Sequence, residues 1–575
     1  MEMQHVEGKL SMQTTPREEG PHASKESKRG GWITFPFITG SVLGLSIAAG
    51  GWSANLIVFL MTEFNVKSIA ATKIYNVVLA CSSLFPIAGA ISADSFFGSF
   101  PVVSTFAFVS LLGMIMMTLT ATIHSLRPPQ CAIGSLTCET PSNLQYAVLY
   151  INLTLASLGL GGTRFTIATM GAEQFDKTKD QGTFFSWYYF TLYIANVVSF
   201  TAIIYVQDNV GWGLGFGICA IANAIGLAVL VLGKQFFLRV KPKGSPFTSI
   251  ARVMVAAIKK RKILTASGSH DYYFGTTGML KMEDRSPTKS FRFLNHAALK
   301  TEGDRQLDGS YARSWRLCAV EEVEDLKKLI RILPIWSTGI CLSTTIGIFN
   351  SLTILQALTM DRHLGPHFKI PASSFLVFNL LATTISIFTI DNFLLHTWQN
   401  LTRKHLTPLQ RIGIGHFINI LGMVGSALIE TRRLHVVRTH QLMGQPSGLV
   451  VPMSALWLVL PLAVVGIGEG FHFPGTVALY YQEFPKSLKS TSTAIVSLLI
   501  GIGLYLSTAI TDLIDRTTGW LPDNINDGRV DNVLWVVVVI GALNFGYFLG
   551  CAKMFKYQHV EDHDDGIDGP SGLAH

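Results

Sequence analysis

Apolar stretches of about twenty residues recur along the chain between short polar turns, each long enough to cross roughly 30 Å of bilayer hydrocarbon as one helix. Twelve are read, at approximately 33–62, 70–93, 101–123, 144–170, 184–206, 213–236, 330–357, 372–395, 410–430, 453–481, 490–512 and 531–553. They fall into two sets of six, 31–236 and 329–555, parted by a polar connector at 237–328. The pattern predicts an all-α polytopic membrane protein made of two six-helix bundles, the layout of secondary transporters that bind substrate near the bilayer midplane between the halves. Residues 1–30 are polar and lack the apolar core of a cleavable leader, so they are expected to remain in the cytosol, disordered. The acidic, Gly-rich tail at 556–575 is expected to be disordered there too.

Composition agrees: 49% of residues are hydrophobic and 14% charged, against roughly 25% charged in a soluble domain. Lys and Arg concentrate on one side of the predicted spans, in the amino-terminal segment, the connector and the turns holding Lys177, Lys179, Arg403, Lys404, Lys486 and Lys489. That side is expected to be cytosolic and to carry both termini. Arg432, Arg433 and Arg438 dissent, falling in a loop on the other side. The net charge of +8 is therefore read as a topology signal, and a nucleic-acid partner is not expected.

Within the connector, SIARVMVAAIKKRK sets Ile250, Val253 and Ile258 beside a basic end. It reads equally as a helix along the membrane surface or as a solvated linker helix. Ser245 and Ser286 each precede Pro and are candidate sites for a regulatory kinase. Cys81, Cys219, Cys318, Cys341 and Cys551 are expected as buried thiols, while Cys131 and Cys138 share a loop where a disulfide is plausible. The glycines of GLGG (159–162) and GIG (501–503), with Gly40 and Gly44, lie in apolar spans and serve close helix contact rather than phosphate binding. No spacing of Cys and His suits a metal, no cofactor is implied, and no catalytic constellation points to an enzyme.

Specific motifs then narrow the class. GAISADSFFG (89–98), GAEQFD (171–176), FFSWYYF (184–190), VQDNVGWGLGFGI (206–218), LPIWSTGI (333–340), TMDR (359–362), TPLQRIGIG (407–415) and WLPDNIN (520–526) together resemble the plant nitrate and peptide transporter family. That family belongs to the proton-dependent oligopeptide transporters of the major facilitator superfamily. The resemblance runs from about 33 to 556 and implies twelve helices, alternating access, and substrates such as nitrate, peptides, chloride or plant metabolites.

The departures from the family pattern are informative. Proton-coupled relatives carry two Glu and a following base in the first span, and anchored on Pro36, Phe37, Ile38 and Asn55 that motif falls on Val42, Leu45 and Ser46. A further Glu of the tenth span falls on Ala478, the usual Lys of the fourth span becomes Arg164, an Asn of the fifth becomes Tyr193, and a Gln of the seventh becomes Asn350. A cation at mid-membrane costs about 2.5 to 3.5 kcal/mol on insertion scales and normally has a counter-charge. Without the family carboxylates, Arg164 is a candidate contact for an anion, its planar fork suited to the oxygens of nitrate. Snorkelling, or pairing with a carbonyl or another acid, is the alternative. Tyr193 and Asn350 are candidate polar wall residues.

These losses, with the resemblance to a plasma-membrane nitrate excretion subgroup, lead to the expectation of passive, proton-uncoupled anion export. Glu469 and His472, three apart in the tenth span, keep a proton-coupled symporter open as an alternative. A membrane sensor that transports little is a second one.

Overall fold

The computed structural model describes residues 30–129, 139–164, 166–175, 177–238, 246–262, 272–274, 287–288, 290–301, 315–445, 449–484 and 492–555. Among them, twelve helices are long and apolar enough to cross a bilayer. Spans 1 to 6 are Gly31–Ser53, Ser68–Ser92, Ser99–Thr122, Asn143–Ala172, Asp180–Asn209 and Trp212–Gln235. Spans 7 to 12 are Val320–Thr359, Ser373–Thr402, Pro408–Thr439, Ala455–Tyr480, Ile495–Thr517 and Val530–Met554. The predicted all-helical, twelve-span architecture is thus the observed one. Cys131, Cys138, Ser245 and Ser286 lie outside the described residues.

Three elements depart from the sequence expectation, each for a local reason. The predicted first stretch is interrupted: span 1 ends at Ser53 and a second helix runs Leu56–Glu63. At the junction Asn55 turns its amide to Asp208 Oδ1 (2.8 Å) and Gln207 Oε1 (3.2 Å) of span 5. Span 7 starts at Val320, ten residues before the apolar run, because Val320, Val323 and Leu326 bury against the connector and not against lipid. Span 9 continues to Thr439 through the Arg-containing segment that looked like a loop.

That last extension accounts for part of the dissenting charge. Arg433 is fully buried beside Glu430 one helical turn earlier, with two parallel hydrogen bonds of 2.8 and 2.7 Å. Gln356 donates to Glu430 (2.8 Å), and Arg433 also donates to Asn526 Oδ1 (2.5 Å). Arg433 is therefore an internal strut of the second bundle and no loop charge. Arg432 rests over the Trp457 ring at 5.1 Å.

Glycines set the helix spacing as expected. A Cβ on Gly44 of span 1 would stand 3.0 Å from the Gly226 backbone of span 6, and one on Gly40 would stand 3.2 Å from Val229. Gly501 of span 11 likewise approaches the Ala80 carbonyl of span 2, bringing the two bundles together.

The connector helix runs Pro246–Lys259 and packs inward. Val253, Ala256 and Ala257 pack with Leu294, Ala297, Val320 and Val323. Ile258, assigned to the same stripe, is 61% exposed. Lys260 of the basic end is buried and donates to the Leu299 carbonyl at 2.5 Å, so that end is partly an internal tether. Of the cysteines, Cys219, Cys318 and Cys551 are buried as expected. Cys81 and Cys341 are only half-buried, and Cys81 meets the Tyr505 hydroxyl of the opposite bundle at 2.9 Å.

Removing one partner of a buried ion pair leaves an uncompensated charge, at a cost of about 3 to 5 kcal/mol. Glu430→Gln is accordingly expected to lower the thermal midpoint of the detergent-purified protein sharply, with Glu430→Leu/Arg433→Met recovering part of the loss. A Glu430→Gln melting curve that overlays the wild type would contradict the strut assignment.

Candidate functional site

A cavity of about 210 Å³ opens on the inner face of the first bundle, walled by spans 1, 2, 4 and 5. Its apolar wall includes Val42, Leu45, Leu79 and Leu192, and its polar side chains are Ser46, Ser53, Tyr75, Thr163, Arg164, Tyr188 and Asn196. Local packing explains why Arg164 reaches it. Span 4 carries Gly161 and Gly162 immediately before, where any side chain would collide with Phe85 of span 2 and with the Phe106 ring of span 3. Span 4 therefore presses its glycine face onto those helices. Tyr188 of span 5 donates to the Arg164 carbonyl at 2.8 Å and ties the two cavity walls at this level. The Arg164 residue itself is solvent-exposed within the bundle.

Among the described residues lining the cavity, Arg164 is the only charged one. Val42, Leu45 and Ser46, the positions on which the resemblance places the coupling motif, stand in the same wall as Arg164, with Val42 at 3% exposure and Leu45 at 8%. The first-span substitutions thus meet Arg164 of the fourth span at one place. The remaining candidates lie elsewhere. Tyr193 of span 5 is outside this wall. Asn350 of span 7 is also outside it, and its side-chain oxygen is buried without a hydrogen-bond partner among the described residues. Ala478 is half-buried on span 10 and does not line the wall.

Glu469 and His472 share a helix but turn to different neighbours. Glu469 accepts from Thr383 (3.3 Å) and Asn379 (3.5 Å) of span 8. His472 meets the His416 ring of span 9, centroids 5.0 Å apart, and borders a smaller cavity with Thr338, Ser343, Thr476 and Tyr480. A three-residue step rotates about 60° around a helix, and span 10 lies in contact with both spans 8 and 9, so that rotation separates the pair.

The two bundles meet along spans 2 and 11. Lys73 bridges Asp512 and Asp515, both at 2.7 Å, Asn76 donates to Ser507 (3.2 Å), and Ser497 donates to the Ser83 carbonyl (3.0 Å). At the end of this seam away from the connector, Lys67 pairs with Asp523 at 2.6 Å, an exposed contact whose hydrogen bond and charge raise the Lys67 pKa above its ordinary value. Spans 5 and 8 also touch, and near them the Tyr205 and Phe368 rings stack at 5.7 Å. Sequence reasoning passed over Lys73, Asn196, Ser53 and Thr163. Lys73 carried a signal, a cation inside an apolar run matched by two acids in another run; the small polar residues carried none.

Two six-span bundles joined along a polar seam, with a cavity whose described lining holds one cation, define a secondary transporter of the major facilitator type. The POT family profile matches residues 100–526 of this chain. Protein NRT1/ PTR FAMILY 2.7 of Arabidopsis thaliana is 53% identical, over 94% of this chain and 96% of its own length. Protein NRT1/ PTR FAMILY 2.6 of the same plant is 51% identical over 94% and 96%. Among solved structures, an auto-inhibited POT family peptide transporter superposes with a TM-score of 0.66 at 18% identity, over 91% of this chain and 97% of its own. The POT family transporter PepTSo gives 0.66 at 17%, over 92% and 99%. The chain belongs to the POT family, within its NRT1/PTR branch, and is a membrane transporter and not an enzyme.

The seam gives a direct test. Lys73→Met removes the cation shared by two carboxylates, so the bundles should part more readily. In a chain whose other cysteines are replaced, Cys81 is expected to react several-fold faster with a membrane-impermeant maleimide. An unchanged rate would show that these ion pairs do not hold the seam.

Proposed function

We propose that this protein is a passive, proton-uncoupled exporter of nitrate, with chloride as a second substrate, acting at the plasma membrane with both termini in the cytosol. The observation that carries the reading is the cavity wall in which Arg164 is the charged residue and the coupling-motif positions are Val42, Leu45 and Ser46. A guanidinium in a low-dielectric wall attracts an anion, and its planar donor fork suits planar oxygens. A zwitterionic peptide would bring an ammonium group that needs a carboxylate or carbonyl in return, since a buried unpaired charge is costly. The free volume, about 210 Å³, lies below the roughly 300 to 1,000 Å³ of pockets for drug-sized ligands and favours a small ion.

Energetics sets the direction. One unit charge crossing 100 mV gains or loses about 2.3 kcal/mol, which corresponds to roughly fiftyfold in concentration. An anion in a cell with a negative interior therefore runs outward unless protons accompany it. Loss of the first-span acids removes the family's route for those protons. The placement of Lys177, Arg403 and Lys404 on the connector side supports the orientation.

A second reading, proton-coupled symport, is favoured by one observation. Glu469 is a half-buried carboxylate on span 10, held by Thr383 and Asn379 of span 8. It would carry the proton in place of the first-span motif.

Nitrate efflux from proteoliposomes under a potassium-diffusion potential tests the proposal. Arg164→Gln is expected to bring flux to the protein-free background with an unchanged melting curve, and Arg164→Lys to retain a measurable part. Wild-type flux in Arg164→Gln would remove the residue from the mechanism. Placing Glu at positions 42 and 45 and Lys at 46 (Val42→Glu, Leu45→Glu, Ser46→Lys) is expected to make flux pH-dependent or abolish it. Indifference to that triple change would show that the wall has no part in coupling.

A further inference from the structure

A second cavity, of about 700 Å³, lies on the outside of the second bundle between spans 9 and 12, far larger than the space beside Arg164. Its floor exists because span 9 carries Gly413, where a Cβ would stand 3.0 Å from the Phe548 ring edge. Its walls are Ile414, Phe417, Phe545 and Leu549, and three of these belong to the exposed apolar surface: Ile414 at 36%, Phe417 at 50% and Leu549 at 51%. From Thr407 at the start of span 9 to Phe417 is ten residues, about 15 Å of helix. That is half of a roughly 30 Å hydrocarbon core, the depth of one leaflet.

The mouth is polar and cationic. Lys553 in the last turn of span 12 lines it with Thr407, Gln410 and Trp398. Lys553 is exposed, and among the described residues no carboxylate pairs with it. Trp at this height is the ordinary interfacial anchor, and basic pockets between spans hold anionic lipid head groups. The geometry points to a binding site for one anionic phospholipid of the connector-side leaflet, its acyl chains in the groove over Gly413 and its phosphate against Lys553. The site is independent of the substrate assignment, since it faces the bilayer from outside the bundle.

The test uses the full chain purified in detergent, with dioleoyl phosphatidylserine and dioleoyl phosphatidylcholine as probes. Phosphatidylserine is expected to raise the melting midpoint about twice as far as phosphatidylcholine at equal concentration, by preferential binding to the folded protein. Lys553→Glu should erase the difference between the two lipids. Leu549→Trp, which fills the groove from its exposed wall, should reduce the number of phospholipids retained in native mass spectrometry. Equal stabilisation by both lipids in the wild type, or an undiminished preference in Lys553→Glu, would overturn the proposal. So would a dimer cross-linked through position 549, which would assign the groove to a second copy of the chain.

Discussion

Within a bilayer, a charge is tolerated only where the helices around it supply a counter-charge, a polar cage or water. This chain applies that constraint in three ways. Arg433 is enclosed by Glu430, Thr359 and Asn526 and ties spans within the second bundle. Lys73 sits between Asp512 and Asp515 and joins the bundles. Arg164 opens onto a cavity whose described lining offers serines, a threonine, two tyrosines, an asparagine and apolar side chains. The first environment is enclosed and the second spans the seam between the bundles. The third lines a cavity, and the functional proposal is built on that position.

Close packing makes those environments possible. Gly44 against Gly226 lets span 1 nest on span 6, while Gly161 and Gly162 seat span 4 on spans 2 and 3. Each contact brings helix backbones closer than a side chain would allow, and together they set the rotation of spans 1 and 4 about the cavity. Ser199 of span 5 reinforces this from the other side, donating to the Ile47 carbonyl at 3.1 Å beside Gly50. The cavity follows from small residues on the helix backs as much as from the polar residues that line it.

Much of this was legible in the chain itself. Span count, bundle division and the contact role of the glycines follow from hydropathy and residue size, because lipid imposes a length and close helices impose small side chains. The grouping of Val42, Leu45 and Ser46 with Arg164 was legible only through resemblance to a family, since nothing in their spacing joins the first span to the fourth. Ser53, Thr163 and Asn196 could not be singled out, because small polar residues in a span bond their own helix as readily as they line a cavity; Thr163 does bond the Gly159 carbonyl at 2.8 Å. Glu469 and His472 look like partners in one dimension and turn apart in three. The Glu430 and Arg433 pair was readable, one helical turn apart, but the expected loop boundary hid it.

The central claim is that the anion crosses without a proton, and the reversal potential of the nitrate current in proteoliposomes tests it most directly. With a fixed nitrate gradient, the account predicts reversal at the nitrate equilibrium potential, unmoved when a pH gradient is imposed across the membrane. A reversal potential that follows the pH gradient would contradict it and assign proton coupling to this chain.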